Sequence, residues 1–163
     1  MNPGVEKRKP AVLDCNVWLC LLSAKDARLQ DKVVEQGYPV IITSYGVVEV
    51  LRSLKRLSKD IAGGYATLEE DFWELCNSTT IRREFASVIS ESLIGEVRRK
   101  PEFRLIAKLL GLETKDVPYV VSAFQFDAIF VTTDTRSILD KRETIKQFLG
   151  LEIIGLEEFL NEP

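Results

Sequence analysis

Apolar residues follow two rhythms along this chain. Short apolar runs stand at Ala11-Val12-Leu13, Val40-Ile41-Ile42, Ala128 to Thr132 and, interrupted only by Glu152, Leu151 to Ile154. Runs of that length, set between turn residues, predict strands buried on both faces. Elsewhere the apolar positions recur every three or four residues. That spacing predicts a short helix near 16–24, another at 26–36 stopped by Gly37, and a two-faced helix over 44–61. Thr43 or Ser44 caps the third of these, and Gly63-Gly64 ends it. Its core face is Val47, Val50, Leu51, Leu54, Leu57 and Ile61.

The rhythm continues to the end of the chain. Thr67-Leu68-Glu69-Glu70 has the form of a capping box and predicts a helix through about Cys76. A helix over 83–99 has Phe85, Val88, Ile89, Leu93 and Val97 as its apolar side. Pro101 opens another that ends near Gly111. Thr114–Phe126 reads as a helix, with Pro118 tolerated close to its first turn. Ser137–Leu149 is a helix stopped by Gly150, and 156–161 is a last helical turn. Thr79–Arg82 reads either as loop or as a short strand. Strands alternating with helices predict an α/β fold, a parallel sheet covered on both faces.

Composition narrows the class. At 163 residues, 45% of them apolar, the chain can bury a real core as one domain. Residues 1–10, with Lys7-Arg8-Lys9 and Pro10, read as an N-terminal extension, and 11–163 as a single domain. The longest apolar stretch, Val12 to Leu22, is broken by Asp14 and Asn16 and is too short to span a bilayer. With 22 basic and 25 acidic side chains, the net charge is −3. Binding to phosphate must therefore come from a local basic patch or a bound cation. There is no histidine, which excludes Ser-His-Asp and Cys-His mechanisms and a His-ligated zinc. Three cysteines without paired spacing (Cys15, Cys20 and Cys76) predict reduced thiols in a cytoplasmic protein, with Cys15 in the core.

Four acidic residues carry the chemistry. Asp14 and Asp134 follow the first and third apolar runs. Glu49 stands early in the 44–61 helix, and Asp116 opens the 114–126 pattern. Carboxylates at strand carboxyl ends and in first helical turns converge at one edge of a parallel sheet, where ligands bind. A cluster of this kind suits Mg²⁺ or Mn²⁺. Two carboxylates about 4 Å apart repel by roughly 4 kcal/mol at an effective dielectric near 20, so a cation or protons must offset them. Asp14, Glu49, Asp116 and Asp134 are the candidate catalytic residues and metal ligands, direct or through water. Asn16 and Thr132 are candidates to orient ligands or water. The alternatives are helix capping for Asp116 and a strand-end turn for Asp134.

Four segments together resemble the PIN domain family of nucleases. They are Val12-Leu13-Asp14-Cys15-Asn16-Val17-Trp18-Leu19, Tyr45-Gly46-Val47-Val48-Glu49-Val50-Leu51, Asp116-Val117-Pro118-Tyr119-Val120-Val121-Ser122-Ala123 and Ile129-Phe130-Val131-Thr132-Thr133-Asp134. Their order and spacing match over about residues 11 to 155. The resemblance implies a Rossmann-like three-layer α/β/α sandwich with a central parallel sheet of four to five strands. It implies one or two divalent cations and an RNA substrate. It also implies a place among toxins of VapBC-type pairs, with an antitoxin-like protein partner and a homodimer, or a role in RNA processing or decay. The chain departs from the family after Asp134. Many members carry an acidic residue or Asn two positions on, whereas Thr135, Arg136 and Ser137 follow here, with Asp140 a turn later as a substitute.

Basic residues add a second clue. Arg52, Lys55, Arg56 and Lys59 share one side of the Glu49 helix and form either an RNA-binding stripe or a solvated face. Arg82-Arg83 and Arg98-Arg99-Lys100 invite the same two readings. Trp18 and Trp73 could stack on bases, although Trp18, in an apolar run, fits a core or an interface better. The expected activity is metal-dependent endoribonucleolytic hydrolysis. The alternative is a catalytically inactive PIN-like module that binds RNA or protein. A phosphatase of the haloacid-dehalogenase type wants a second Asp where Asn16 stands.

Overall fold

The computed structural model describes residues 8–60, 63–86 and 89–162. Five parallel strands form one sheet: β1 (Ala11–Leu13), β2 (Val40–Thr43), β3 (Ile81–Glu84), β4 (Ile129–Thr132) and β5 (Ile153–Gly155). Their order is β3-β2-β1-β4-β5, with every neighbouring pair parallel. The strand order reverses between β1 and β4, where Leu13 is in register with Val131. Such a reversal opens a crevice at the carboxyl ends of the strands.

Helices flank the sheet and complete the α/β/α sandwich. After β1 come α1 (Cys15–Leu22) and α2 (Ala27–Gln30), the latter continuing as a wider π-type coil over Asp31–Glu35. Helices α3 (Ser44–Leu57) and α4 (Gly64–Cys76) link β2 to β3. Helices α5 (Ser92–Arg98), α6 (Pro101–Leu110) and α7 (Val117–Gln125) carry the chain back to β4. Finally α8 (Arg142–Leu149) leads to β5, and α9 (Leu156–Asn161) follows it. Strands β1, β2 and β4 are apolar because helices cover both of their faces. Trp18 is fully buried with its ring edge-on to Phe72, 5.7 Å between centroids, which settles it as a core residue. Tyr119 stacks on Phe130 at 6.0 Å and so ties α7 to β4. Among the described residues no helix is long and apolar enough to cross a membrane.

Several expectations are corrected. The Glu49 helix ends at Leu57 and gives way to a 3₁₀ turn, Ser58–Asp60. Leu57 is therefore exposed, while Val47, Val50 and Leu54 are buried; Ile61 lies outside the described residues. Helix α4 begins at Gly64, three residues before the predicted capping box. Its N-cap is Gly63, at φ +87°, and the Thr67 hydroxyl donates back to the Gly63 carbonyl. The predicted 83–99 helix is instead the end of β3, a connecting stretch and α5. Phe85 and Ile89 are consequently exposed, Leu93 and Val97 are buried, and Val88 lies outside the described residues. The strand suspected at Thr79–Arg82 is real but runs from Ile81 to Glu84. The helix expected over 114–126 opens as a 3₁₀ turn, Thr114–Asp116, and the one expected from Ser137 starts only at Arg142. Pro10 and Lys9 do not hang free, since Ile129 N–H donates to the Pro10 carbonyl and Tyr38 to that of Lys9.

Candidate active site

The site grows from the ends of β1 and β4. Asp14 leaves β1 and at once caps α1, accepting the Cys15 N–H on Oδ1 at 2.7 Å. Its other oxygen accepts the Thr132 hydroxyl at 2.8 Å. Thr132, fully buried at the end of β4, also accepts the Asp134 N–H at 3.0 Å. One hydroxyl thus locks two of the predicted acids to each other. Asp134 Oδ1 accepts the Ser137 N–H at 2.8 Å, so Asp134 does shape the turn after β4.

Asp116 behaves differently. It sits before α7 as the cap residue, yet its side chain makes no capping hydrogen bond. It is buried, and its Oδ2 has no hydrogen-bond partner. Buried polar atoms are nearly always satisfied, so an orphaned carboxylate oxygen asks for a ligand or a proton.

Asp14, Glu49, Asp116 and Asp134 all line one cavity of about 590 Å³. Asn16 stands on its rim, while Thr132 supports it from behind. Arg52 and Arg56 of the basic stripe line the same cavity. Lys55 and Lys59 are exposed and do not line it; Lys55 borders a separate hollow. Asp140 is exposed in the 3₁₀ turn Leu139–Lys141, also outside the cavity. Cys15 is buried, as expected. It is the first residue of α1, and its Sγ lies 3.4 Å from Ser53 Oγ in the cavity wall.

The electrostatics follow from burial. Desolvation pushes Asp14 up to about 6, against the pull of the Thr132 and Cys15 hydrogen bonds. Burial and the Asp14 charge push Asp116 up to about 7, with Lys115 opposing. Burial pushes the Cys15 thiol up to about 12, which leaves it unreactive as a nucleophile.

Glu49 reaches the cavity with both oxygens engaged. Tyr119 donates to Oε1 at 2.6 Å, and Arg98 Nη2 donates to Oε2 at 3.0 Å. Tyr45 also lies 3.0 Å from Oε2. Neither tyrosine was singled out from sequence, although Tyr45 stands one helical turn before Glu49 and Tyr119 three residues after Asp116. Arg98 stands out in the sequence only as part of a basic run, because its partner Glu49 is distant along the chain. Arg82 of the other basic run is turned to Glu84, and Arg83 to Asn77.

The donor set is entirely oxygen, which suits a hard divalent cation. Among the described residues no set of three acidic or thiol side chains is already arranged to hold an ion. Mg²⁺ keeps several waters and needs only one or two direct carboxylates, so the orphaned Asp116 oxygen and the neighbouring Asp14 fit it.

No family model matches the sequence, and no curated protein matches it. Solved structures do. The chain is similar to VapBC2 from Rickettsia felis bound to a DNA fragment from their promoter, with 12% identity, a TM-score of 0.59, and 89% of this chain and 97% of that chain covered. It is also similar to FitAcB from Neisseria gonorrhoeae, with 16% identity, a TM-score of 0.47, and coverage of 88% and 96%. A PilT N-terminus domain protein from Sulfolobus solfataricus shows 17% identity, a TM-score of 0.43, and coverage of 92% and 89%. At such identities likeness speaks for fold alone, and the first comparison carries it. The chain has the α/β fold of PIN domains, as its four segments suggest.

Proposed function

We propose that this chain is a divalent-metal-dependent endoribonuclease. The observation that carries the reading is the convergence of Asp14, Asp116 and Asp134 on one cavity, two of them buried and one with an orphaned oxygen. These three would hold Mg²⁺ or Mn²⁺, directly or through water. When bound, such a cation activates water and relieves charge on the attacked phosphate. Thr132 and the Cys15 N–H fix the direction of the Asp14 carboxylate. Arg52 and Arg56 stand where a phosphate backbone would enter.

The test is cleavage of labelled single-stranded RNA with Mn²⁺, Mg²⁺ or EDTA. Asp14→Asn and Asp116→Asn run alongside, with folding checked by circular dichroism. Metal-dependent cleavage lost in both folded variants is expected. Cleavage that ignores both substitutions, or none on varied RNAs, overturns the reading.

We also propose the role of a toxin held by an antitoxin-like partner, in the cytoplasm and as a homodimer; the likeness to VapBC2 supports it. Growth arrest on expression, relieved by Asp14→Asn, is expected; harmless expression of an active enzyme overturns it. A second reading is a non-catalytic module that binds RNA or protein. The Glu49–Arg98 pair and the absence of an acid just after Asp134 favour it. It predicts RNA binding without Asp14-dependent cleavage.

A further inference from the structure

The cavity is not simply acidic. Arg52, Arg56, Arg98 and Lys115 line it together with its four carboxylates. Three of these cations are exposed, and Arg98 alone is half-buried. It is also the one held from two sides. Its Nε donates to the Tyr45 hydroxyl at 3.0 Å and its Nη2 to Glu49 at 3.0 Å. The guanidinium carbon lies 5.9 Å from the Tyr45 ring centroid. Two of its five N–H groups are thus engaged, and the other three have no hydrogen-bond partner among the described residues.

Glu49 is fixed just as firmly. The Tyr119 hydroxyl that donates to it is buried, and a ligand drawing Glu49 away would strand both that hydroxyl and Arg98. The pair joins α3 to the last residue of α5, so two separate elements hold it.

We propose that Glu49 is not a metal ligand but the anchor of a phosphate-binding arginine, holding Arg98 at the cavity wall where its free N–H groups receive a phosphate oxygen of the RNA backbone. This rests on the nuclease reading and gives it a division of labour. The aspartates at the ends of β1 and β4 and before α7 serve the cation. The Glu49–Arg98–Tyr45 unit serves the substrate. A guanidinium held in place loses little freedom on binding, and its fork matches phosphate geometry. Arg98 is then a substrate contact and Glu49 a positioning residue.

Two measurements without turnover separate the roles. Mn²⁺ affinity is read from the electron paramagnetic resonance of free Mn²⁺. Backbone affinity is read in EDTA from the anisotropy of a fluorescein-labelled, 2′-O-methylated single-stranded RNA. Asp116→Asn is expected to weaken Mn²⁺ binding about tenfold or more, and Glu49→Gln by less than about threefold. Arg98→Ala is expected to weaken RNA binding roughly tenfold, and Arg98→Lys to restore little of it. Glu49→Gln is expected to weaken RNA binding without weakening Mn²⁺ binding to match. If Glu49→Gln does not fold, Arg98→Ala decides the matter, because it leaves Glu49 with its tyrosine donors.

Loss of Mn²⁺ binding in Glu49→Gln equal to that in Asp116→Asn overturns the proposal. So does RNA binding, or its absence, that is the same in Arg98→Ala as in the native chain. Unchanged Mn²⁺ binding in both Asp116→Asn and Asp14→Asn instead overturns the metal reading, and the RNA arm is scored without it.

Discussion

Thr132, fully buried, donates its hydroxyl to the buried Asp14 across 118 residues of chain, at 2.8 Å. That hydrogen bond stabilises the charged form of Asp14 against desolvation, and it is the foremost influence holding the carboxyl down near 6.

Thr132→Val keeps the shape of the side chain and removes the donor. The Asp14 carboxyl should then titrate above about 6, and the acid limb of the pH–rate profile should move to higher pH. Stability should fall by about 1–3 kcal/mol, since the variant leaves a buried acceptor and the Asp134 N–H less well satisfied. An unmoved acid limb in a folded variant would remove Thr132 from the site.

The buried acids make the metal-free chain sensitive to pH in a definite direction. Asp14 and Asp116 titrate near 6 and 7 when folded, against an ordinary 3.8. Across that window the folded state keeps protons that the unfolded state has lost. The stability these groups contribute is full below about pH 4 and drains away as pH rises through 7. Metal-free melting curves should show this decline, and Asp116→Asn should flatten it relative to the native chain. Mn²⁺ should raise the melting temperature more at about pH 7.5 than at about pH 5, because its ligands must be deprotonated. Parallel pH profiles for the two proteins would refute the burial of Asp116.

Cavity-lining and outlying members of the basic stripe should separate. Arg56→Glu should weaken single-stranded RNA binding and lower the salt slope by about one, as loss of one phosphate contact requires. Lys59→Glu, on the same stripe but away from the cavity, should do less. Equal effects from both would point to a diffuse surface field rather than an entry path.

Lys32 offers a test of stability far from the chemistry. It is buried between the rings of Tyr38 and Phe159 and donates to the carbonyls of Phe159 and Glu162, the latter at 2.8 Å. Lys32→Met fills similar space but leaves both carbonyls unmet. A loss of about 1–3 kcal/mol is expected, with faster amide exchange in α9 and unchanged RNA cleavage. Unaltered exchange in α9 would show that Lys32 does not pin it.

The sheet was legible in the sequence wherever strands are covered on both faces. Ala11–Leu13, Val40–Ile42 and Ile129–Thr132 have no polar positions inside the apolar run, and Asp14 and Asp134 stand out as the charges that follow. The edge strand β3 was hard to read because only Ile81 is buried on it. Arg82, Arg83 and Glu84 take the place of an apolar run. That ambiguity let the helical spacing from Phe85 to Val97 claim residues that belong to β3. Arg98 falls inside both the predicted helix and α5, yet its partner lies 49 residues away and leaves no local trace. Asp116 was found as a helix opener, but only the structure shows that it declines the capping role.

The order of the strands has a consequence for biosynthesis. β1 sits at the centre of the sheet, and its neighbour β4 arrives only after residue 128. A nascent chain can pair β1 with β2 early, yet Asp14 lacks Thr132, Asp116 and Asp134 until most of the polypeptide has left the ribosome. Prematurely terminated products ending before β4 would therefore be inert. In the proposed nuclease, the acidic site would thus be assembled only once the chain that carries it is nearly complete.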